Sequence, residues 1–262
     1  MLRRQLEYFF AAIRFFTRLP VPAWVGHSAD GLNRAARYFP AVGLLVGLIA
    51  AIVYGLASLA WPKTLALLAS MAATIYATGA FHEDGLADSV DGLGGGWSKE
   101  QVLTIMKDSR LGSYGAVALV LVLLGKFLAL VELREVWIPA AMIAGHALSR
   151  FCSTTLIYFL DYMREDAQAK AKPLATALTR GEVLLAGLFA LFGLLMLPPG
   201  PALRATLFAA LVTVYCARLF KRRLGGYTGD CLGATQQLTE LAFYLGLSWG
   251  PEWTSSSSAI PV

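Results

Sequence analysis

The sequence predicts an all-α protein: a polytopic integral membrane helical bundle of about seven transmembrane helices, preceded by an N-terminal interfacial helix. Three observations carry this expectation. Hydrophobic residues make up 57 % of the 262-residue chain and charged residues only 15 %, outside the usual balance of soluble domains. The apolar residues fall into runs of about 20, the length that crosses a bilayer core of about 30 Å. The runs lack the period-2 alternation of barrel strands, and only helices or closed barrels satisfy a backbone surrounded by lipid.

The elements follow in chain order. Residues 3–18 alternate Arg3, Arg4, Arg14 and Arg18 with Leu6, Tyr8, Phe9, Phe10, Ile13, Phe15 and Phe16, the pattern of a helix lying in an anionic membrane interface. The stretch lacks the apolar core and small-residue cleavage site of a signal peptide, so the first membrane helix is expected to direct insertion. Apolar segments then run over residues 41–60, 64–80, 114–131, 138–160, 183–197, 202–220 and 233–249. The second and fifth are barely long enough to span. Residues 1–253 read as a single membrane-embedded domain, with 1–40 as its interfacial segment and 81–113 as an acidic cytoplasmic loop. Residues 254–262, rich in Ser, read as a disordered tail.

Charge placement sets the expected orientation. With the N-terminus inside, Lys99, Lys107, Arg110, Arg164, Lys170, Lys172, Arg180, Lys221, Arg222 and Arg223 join the early arginines on the cytoplasmic face. Only Lys63, Arg134 and Arg204 remain outside, so the positive-inside rule puts the N-terminus and both polar loops on the cytoplasmic face; the expected location is the bacterial cytoplasmic (inner) membrane. The net charge of +5 therefore reports topology. No nucleic-acid partner is expected, because the cations cap apolar runs instead of forming an aromatic-interleaved patch. Cys152, Cys216 and Cys231 are scattered, with neither a disulfide nor a zinc pattern. The lipid bilayer is the expected partner, and a homo-oligomer stays open.

The stretch that carries chemistry is FHEDGLADSVDGLGGG at 81–96. If it is helical, about 100° per residue puts Asp88 about 40° and Asp91 about 20° from Asp84, on one face. Crowded carboxylates repel, and a charge-poor protein that gathers three of them calls for a cation. Oxygen ligands suit hard ions, and Mg²⁺ typically takes a few carboxylates while substrate phosphates and water complete its shell. Glu83 would point about 100° away from Asp84 and is a poor ligand candidate. An acidic solvated loop is the plainer reading.

Two further motifs supply cations and close backbone approach. IMKDSRLGSYG at 105–115 holds Asp108 and Arg110 just before a membrane segment, where Arg110 can grip phosphate oxygens bidentately. KRRLGGYTGDCLG at 221–233 offers Lys221, Arg222 and Arg223 with Thr228, Gly229 and Asp230. A capped helix and a positive-inside connector are the respective plain readings. Two cations fall inside expected spans: Arg150 sits where it could reach an anionic substrate group, and Lys126 could snorkel or pair with Glu132. His82 is a candidate general base, although an ideal helix points it away from Asp84. His27 and His146 have no discriminating context.

These residues together resemble the cobalamin synthase (adenosylcobinamide-GDP ribazoletransferase) family. The likeness runs through FFTRLPVP at 15–22, RYFPAVGLLVG at 37–47, FHEDGLADSVDG at 81–92, MKDSRLGSYG at 106–115 and GGYTGDCLGA at 225–234. The resemblance implies Mg²⁺-dependent transfer of the cobinamide phosphate from adenosylcobinamide-GDP to the ribose 3′-hydroxyl of alpha-ribazole or its 5′-phosphate, releasing GMP. His82, Asp84, Asp88 and Asp91 match the acidic motif, Asp108 and Arg110 the next, and Thr228, Gly229 and Asp230 the last. Glu83 departs from the apolar residue that the resemblance leads one to expect, and Lys107 from an arginine. On this reading Asp84, Asp88 and Asp91 hold the metal, and Asp91 or His82 accepts the hydroxyl proton. Arg110, Lys221 and Arg222 neutralise phosphate, with Asp108, Arg150, Thr228, Gly229 and Asp230 completing the substrate site.

Two other readings remain from the residues alone. A CDP-alcohol phosphotransferase or an aromatic prenyltransferase also uses spaced aspartates on membrane helices, although no D-G-x-x-A-R run occurs here. A transporter would place its charges deep in broken helices, whereas these acidic residues cluster toward one surface.

Overall fold

The computed structural model describes residues 2–26, 29–163 and 177–250. The expected tail at 254–262, His27 and the cations Arg164, Lys170 and Lys172 lie outside the described residues. The chain runs through helices α1 (Leu2–Phe16), α2 (Ala29–Ala35), α3 (Phe39–Ala57), α4 (Lys63–Thr78), α5 (Phe81–Gly95), α6 (Lys99–Met106), α7 (Ser113–Glu132), α8 (Ile138–Phe159), α9 (Arg180–Leu194), α10 (Pro199–Leu224) and α11 (Gly229–Ser248). The only strand-like pairing among the described residues is an isolated bridge between Tyr162 and Tyr227.

Each expected apolar segment is a helix. By length and composition, Gly31–Ala57, Ser113–Glu132 and Pro199–Leu224 can each cross a membrane, and α4 with α5 makes a fourth candidate if that bent pair counts as one span. The remaining segments, α8, α9 and α11, fall short for physical reasons. Helix α9 has 15 residues. Helices α8 and α11 bury most of their side chains against other helices, and a helix shielded from lipid need not be apolar all round.

Helices α3, α8 and α11 form the centre. Gly43 and Gly47 face the α8 backbone, where a Cβ added at Gly47 would lie 2.5 Å from the Ile143 Cα, so small residues let the two helices touch along their axes. Gly246 does the same for α11 against Ala205 of α10. Two apolar clusters result. One gathers Tyr8, Phe16, Phe39, Leu86, Met106 and Phe220, the other Tyr54, Leu67, Leu133, Ile138, Met142 and Phe243. The face of α1 that carries Tyr8, Ala12, Ile13 and Phe16 is buried, while Arg3 and Arg4 stay exposed.

The segment 81–113, expected as an acidic cytoplasmic loop, folds as α5 and α6. Gly79 (φ 66°) and Ala80 (φ 57°) both adopt the left-handed conformation, ending α4 and turning the chain by 85° into α5. Its four acidic residues disguise α5 as a loop, yet Asp84 and Asp88 share the more open side while Leu86 and Ala87 are buried on another. Too short and too charged to cross lipid alone, α5 packs beside the first turns of α11 and α7, with Gly85 against Asp230 and Gly233 and Asp91 at the start of α7. Ser98 and Gln101 form a reciprocal capping box that starts α6.

Candidate active site

Helix α5 rests on the first turns of α11. A Cβ at Gly85 would come within 3.0 Å of the Asp230 carbonyl oxygen and 3.2 Å of the Gly233 Cα, so only glycine permits this approach. The contact brings Asp84, which is exposed, and Asp88, which is half-buried, alongside Asp230 at the start of α11. Burial, then the neighbouring charges of Asp84, Asp230 and Asp91, push the Asp88 carboxyl up to about 7. Burial and Asp84 push Asp230 up to about 6. Asp230 therefore belongs with the acidic motif, a grouping that its position some 140 residues along the chain conceals.

Among the described residues no three His, Cys, Asp or Glu groups already stand at metal-binding spacing. The donor set nevertheless fits Mg²⁺. It is all carboxylate oxygen, it is short of counter-charge, and its strain rises as it ionises, which is the condition a hard dication relieves.

Asp91 is elsewhere. One of its oxygens accepts the Gly112 N–H at 2.8 Å and the other accepts the Gly115 N–H at 2.9 Å. It thus holds the free amide groups at the start of α7. Asp91, expected to ligate metal and accept a proton, is engaged through both oxygens in this anchoring geometry. His82, the other expected base, is 3 % exposed, with its ring stacked on Phe16 at 5.1 Å. It faces the interior and not the aspartates, as the helical angle foreshadowed.

Arg150, expected to reach substrate, is 1 % exposed and donates to the His146 carbonyl at 3.1 Å. It belongs to a polar layer between the two apolar clusters. There Lys126 pairs with Glu240 at 3.2 Å, and not with Glu132, while His146 Nδ1 lies 3.4 Å from the same carboxylate. Gln236 donates to Glu240 at 2.6 Å. The sequence signal for this layer was present: two glutamines and a glutamate within an otherwise apolar segment are costly unless they face partners.

The cations lie around the α5 end. Arg110 holds Asp108 through its Nη2 at 2.6 Å, with its side chain 87 % exposed, and the guanidinium keeps the Asp108 carboxyl down at about 2. Arg223 donates to the Gly96 carbonyl at 2.6 Å, tying the end of α10 to the end of α5. Lys221 and Arg222 are exposed in the last turn of α10. Thr228 is the N-cap of α11, accepting the Cys231 N–H at 3.4 Å, so its hydroxyl serves the helix start. Gly229 opens the same helix. The arrangement presents carboxylates able to hold a cation beside exposed cations able to hold phosphate.

A family model described as cobalamin-5-phosphate synthase matches residues 8–248. The chain is 48 % identical over 246 residues to the adenosylcobinamide-GDP ribazoletransferase of Shewanella frigidimarina, covering 92 % of this chain and 94 % of the relative. It is 49 % identical over 258 residues to the protein of the same name from Leptothrix cholodnii, covering 94 % and 96 % respectively. No solved structure matches.

Proposed function

The chain belongs to the cobalamin-5-phosphate synthase family, and from that premise we propose that it is a Mg²⁺-dependent adenosylcobinamide-GDP ribazoletransferase whose site is the carboxylate group of Asp84, Asp88 and Asp230. It joins adenosylcobinamide-GDP to alpha-ribazole or its 5′-phosphate in the last step of cobalamin nucleotide-loop assembly. The ribose 3′-hydroxyl oxygen forms the new bond to the cobinamide-side phosphorus, the diphosphate P–O bond breaks with its electron pair staying on the departing GMP, and the hydroxyl proton is released to solvent.

The observation that carries this assignment is the close contact of α5 with α11 through Gly85 and Gly233, which sets Asp84 and Asp88 beside Asp230. Among the described residues no cation pairs with these three aspartates, and their crowding pushes the Asp88 carboxyl up to about 7. A bound Mg²⁺ would neutralise them and spread the charge that builds on the diphosphate as its bond breaks. Asp84, Asp88 and Asp230 would hold the cation, with Asp88 ionised to serve as a ligand. Asp91 keeps the start of α7 in place beside them. Arg110, released from Asp108 by a stronger anion, grips the remaining phosphate oxygens, and Lys221 and Arg222 screen the leaving GMP.

The orientation follows from the same charges. Lys99, Lys107, Arg110, Lys221 and Arg222 share the α5 end of the bundle, which the positive-inside rule assigns to the cytoplasm, where GDP-linked substrate is found at the inner membrane face. The test is GMP release by the purified protein in detergent or bicelles, given the two substrates, with and without Mg²⁺. Turnover that needs Mg²⁺ and disappears in Asp88→Ala supports the reading. Full activity of Asp88→Ala, or release from a CDP-alcohol instead, refutes it.

A further inference from the structure

Glu83 is the acidic residue of α5 that the site leaves without a task. It neighbours Asp84 but points into the bundle, where its Oε1 accepts Gln237 Nε2 at 3.0 Å. Gln237 Oε1 in turn accepts Lys126 Nζ at 2.6 Å, and Lys126 pairs with Glu240 at 3.2 Å. One run of contacts therefore joins α5 to α11 and α7.

The other Glu83 oxygen, Oε2, is buried without a protein partner, and so is Arg150 Nε. Arg150 feels the charges of Glu240 and Glu83. Both residues line the same cavity of about 30 Å³, room for about two waters at 10–15 Å³ each. An orphan acceptor and an orphan donor thus border one small cavity, where a water held between them would serve both.

The C-terminal half of α5 is pinned by Asp91 on α7 and by Arg223 on Gly96, but its first turns need a tether of their own. They follow a two-residue left-handed hinge, and their tightest contact with α11 runs through Gly85 and Gly233, which have no side chains to interlock. Those glycines allow a close approach but do not resist a roll about the helix axis. A roll would carry Glu83 away from Gln237 and strand a charge in the interior, which is strongly unfavourable.

We propose that Glu83 is a positioning residue: held directly by Gln237 and bordering one cavity with Arg150, it fixes the roll of α5 and thereby the direction in which Asp84 and Asp88 face Asp230. This rests on the carboxylate site assigned above. Residue 83 thus controls the affinity of the site for its cation without touching it.

The test compares wild type, Glu83→Leu and Glu83→Gln by two measurements. In the first, Mg²⁺ is titrated against GMP release. Glu83→Leu is expected to raise the half-activating concentration about tenfold or more, the usual effect of losing a group that orients ligands, while turnover at saturating Mg²⁺ stays near wild type. Glu83→Gln, which keeps an acceptor for Gln237, recovers most of the affinity. In the second, hydrogen exchange is followed in Mg²⁺-free protein. Amides of α5 exchange faster in Glu83→Leu while those of α3 and α8 do not. If Glu83→Leu does not fold, Gln237→Ala takes its place in both. An unchanged activation curve with unchanged α5 exchange overturns the proposal. Should wild type need no divalent ion, the metal reading fails, and the exchange comparison alone still upholds or overturns the role of Glu83.

Discussion

The Asp91 carboxylate holds the Gly115 N–H at 2.9 Å, across 24 residues of chain. Because its second oxygen takes the Gly112 N–H, the buried charge is satisfied wholly by the start of α7. Asp91→Ala removes both acceptors and should lower stability by about 3 kcal/mol, since a hydrogen bond to a charged group is worth roughly 1.5–3 kcal/mol. Asp91→Asn keeps one acceptor and should lose about half as much. Thermal unfolding in detergent measures both. A wild-type melting temperature in Asp91→Ala would refute the anchoring role.

That pairing also marks where the sequence stops being readable. The apolar runs announced α3, α4, α7 and α10 because a bilayer demands length and apolarity, and their observed ends fall within a few residues of expectation. The common face of Asp84 and Asp88 followed from helical angles alone. What decides Asp91 is the position of Gly112 and Gly115, and what recruits Asp230 is a helix crossing through Gly85 and Gly233. Both are long-range contacts that no local pattern encodes. Glu240, 114 residues from its Lys126 partner by number, was hidden in the same way, although a carboxylate in an apolar helix could have been flagged by its desolvation cost.

Gly85, with Gly233 opposite it, spaces the α5 and α11 backbones at the site. A β-branched side chain there meets the Asp230 carbonyl oxygen and the Gly233 Cα at 3.0 and 3.2 Å, and these are backbone atoms that cannot swing aside. Gly85→Val should push α5 from α11, costing about 1–3 kcal/mol as an overpacked contact. It should reduce GMP release by more than this stability change explains, because Asp84 and Asp88 move off Asp230. Residual activity is measured at a temperature where circular dichroism shows the variant folded. Normal turnover would show that the spacing is not critical.

Asp230 should behave as a member of the carboxylate site and Asp108 should not. Asp230→Ala is expected to raise the half-activating Mg²⁺ concentration or cut turnover by about 10–100-fold, the range for losing a ligand or its immediate support. Asp108→Ala, whose partner Arg110 is almost wholly exposed, should leave melting and the Mg²⁺ curve as they are. Equal Mg²⁺ curves for the two variants would remove Asp230 from the site.

The crowding of the aspartates sets a pH dependence whose sign can be worked out. Asp88 in the folded protein is raised to about 7 and Asp230 to about 6, both from an ordinary value near 3.8. Between pH 4 and 7 the folded state therefore holds protons that the unfolded chain has released. Folding stability contributed by these groups falls as pH rises through that window, because slope follows the difference in bound protons between the unfolded and folded states. In chelator, the melting temperature should drop from pH 5.5 to pH 8. Mg²⁺ should restore it at pH 8, where both carboxylates are free to bind, and do little at pH 5.5, where protons already neutralise them. The same competition makes the half-activating Mg²⁺ concentration rise as pH falls below about 7. Thermal scans at four combinations of pH and Mg²⁺ decide the matter: stabilisation by Mg²⁺ of equal size at both pH values would mean that the ion binds away from Asp88 and Asp230.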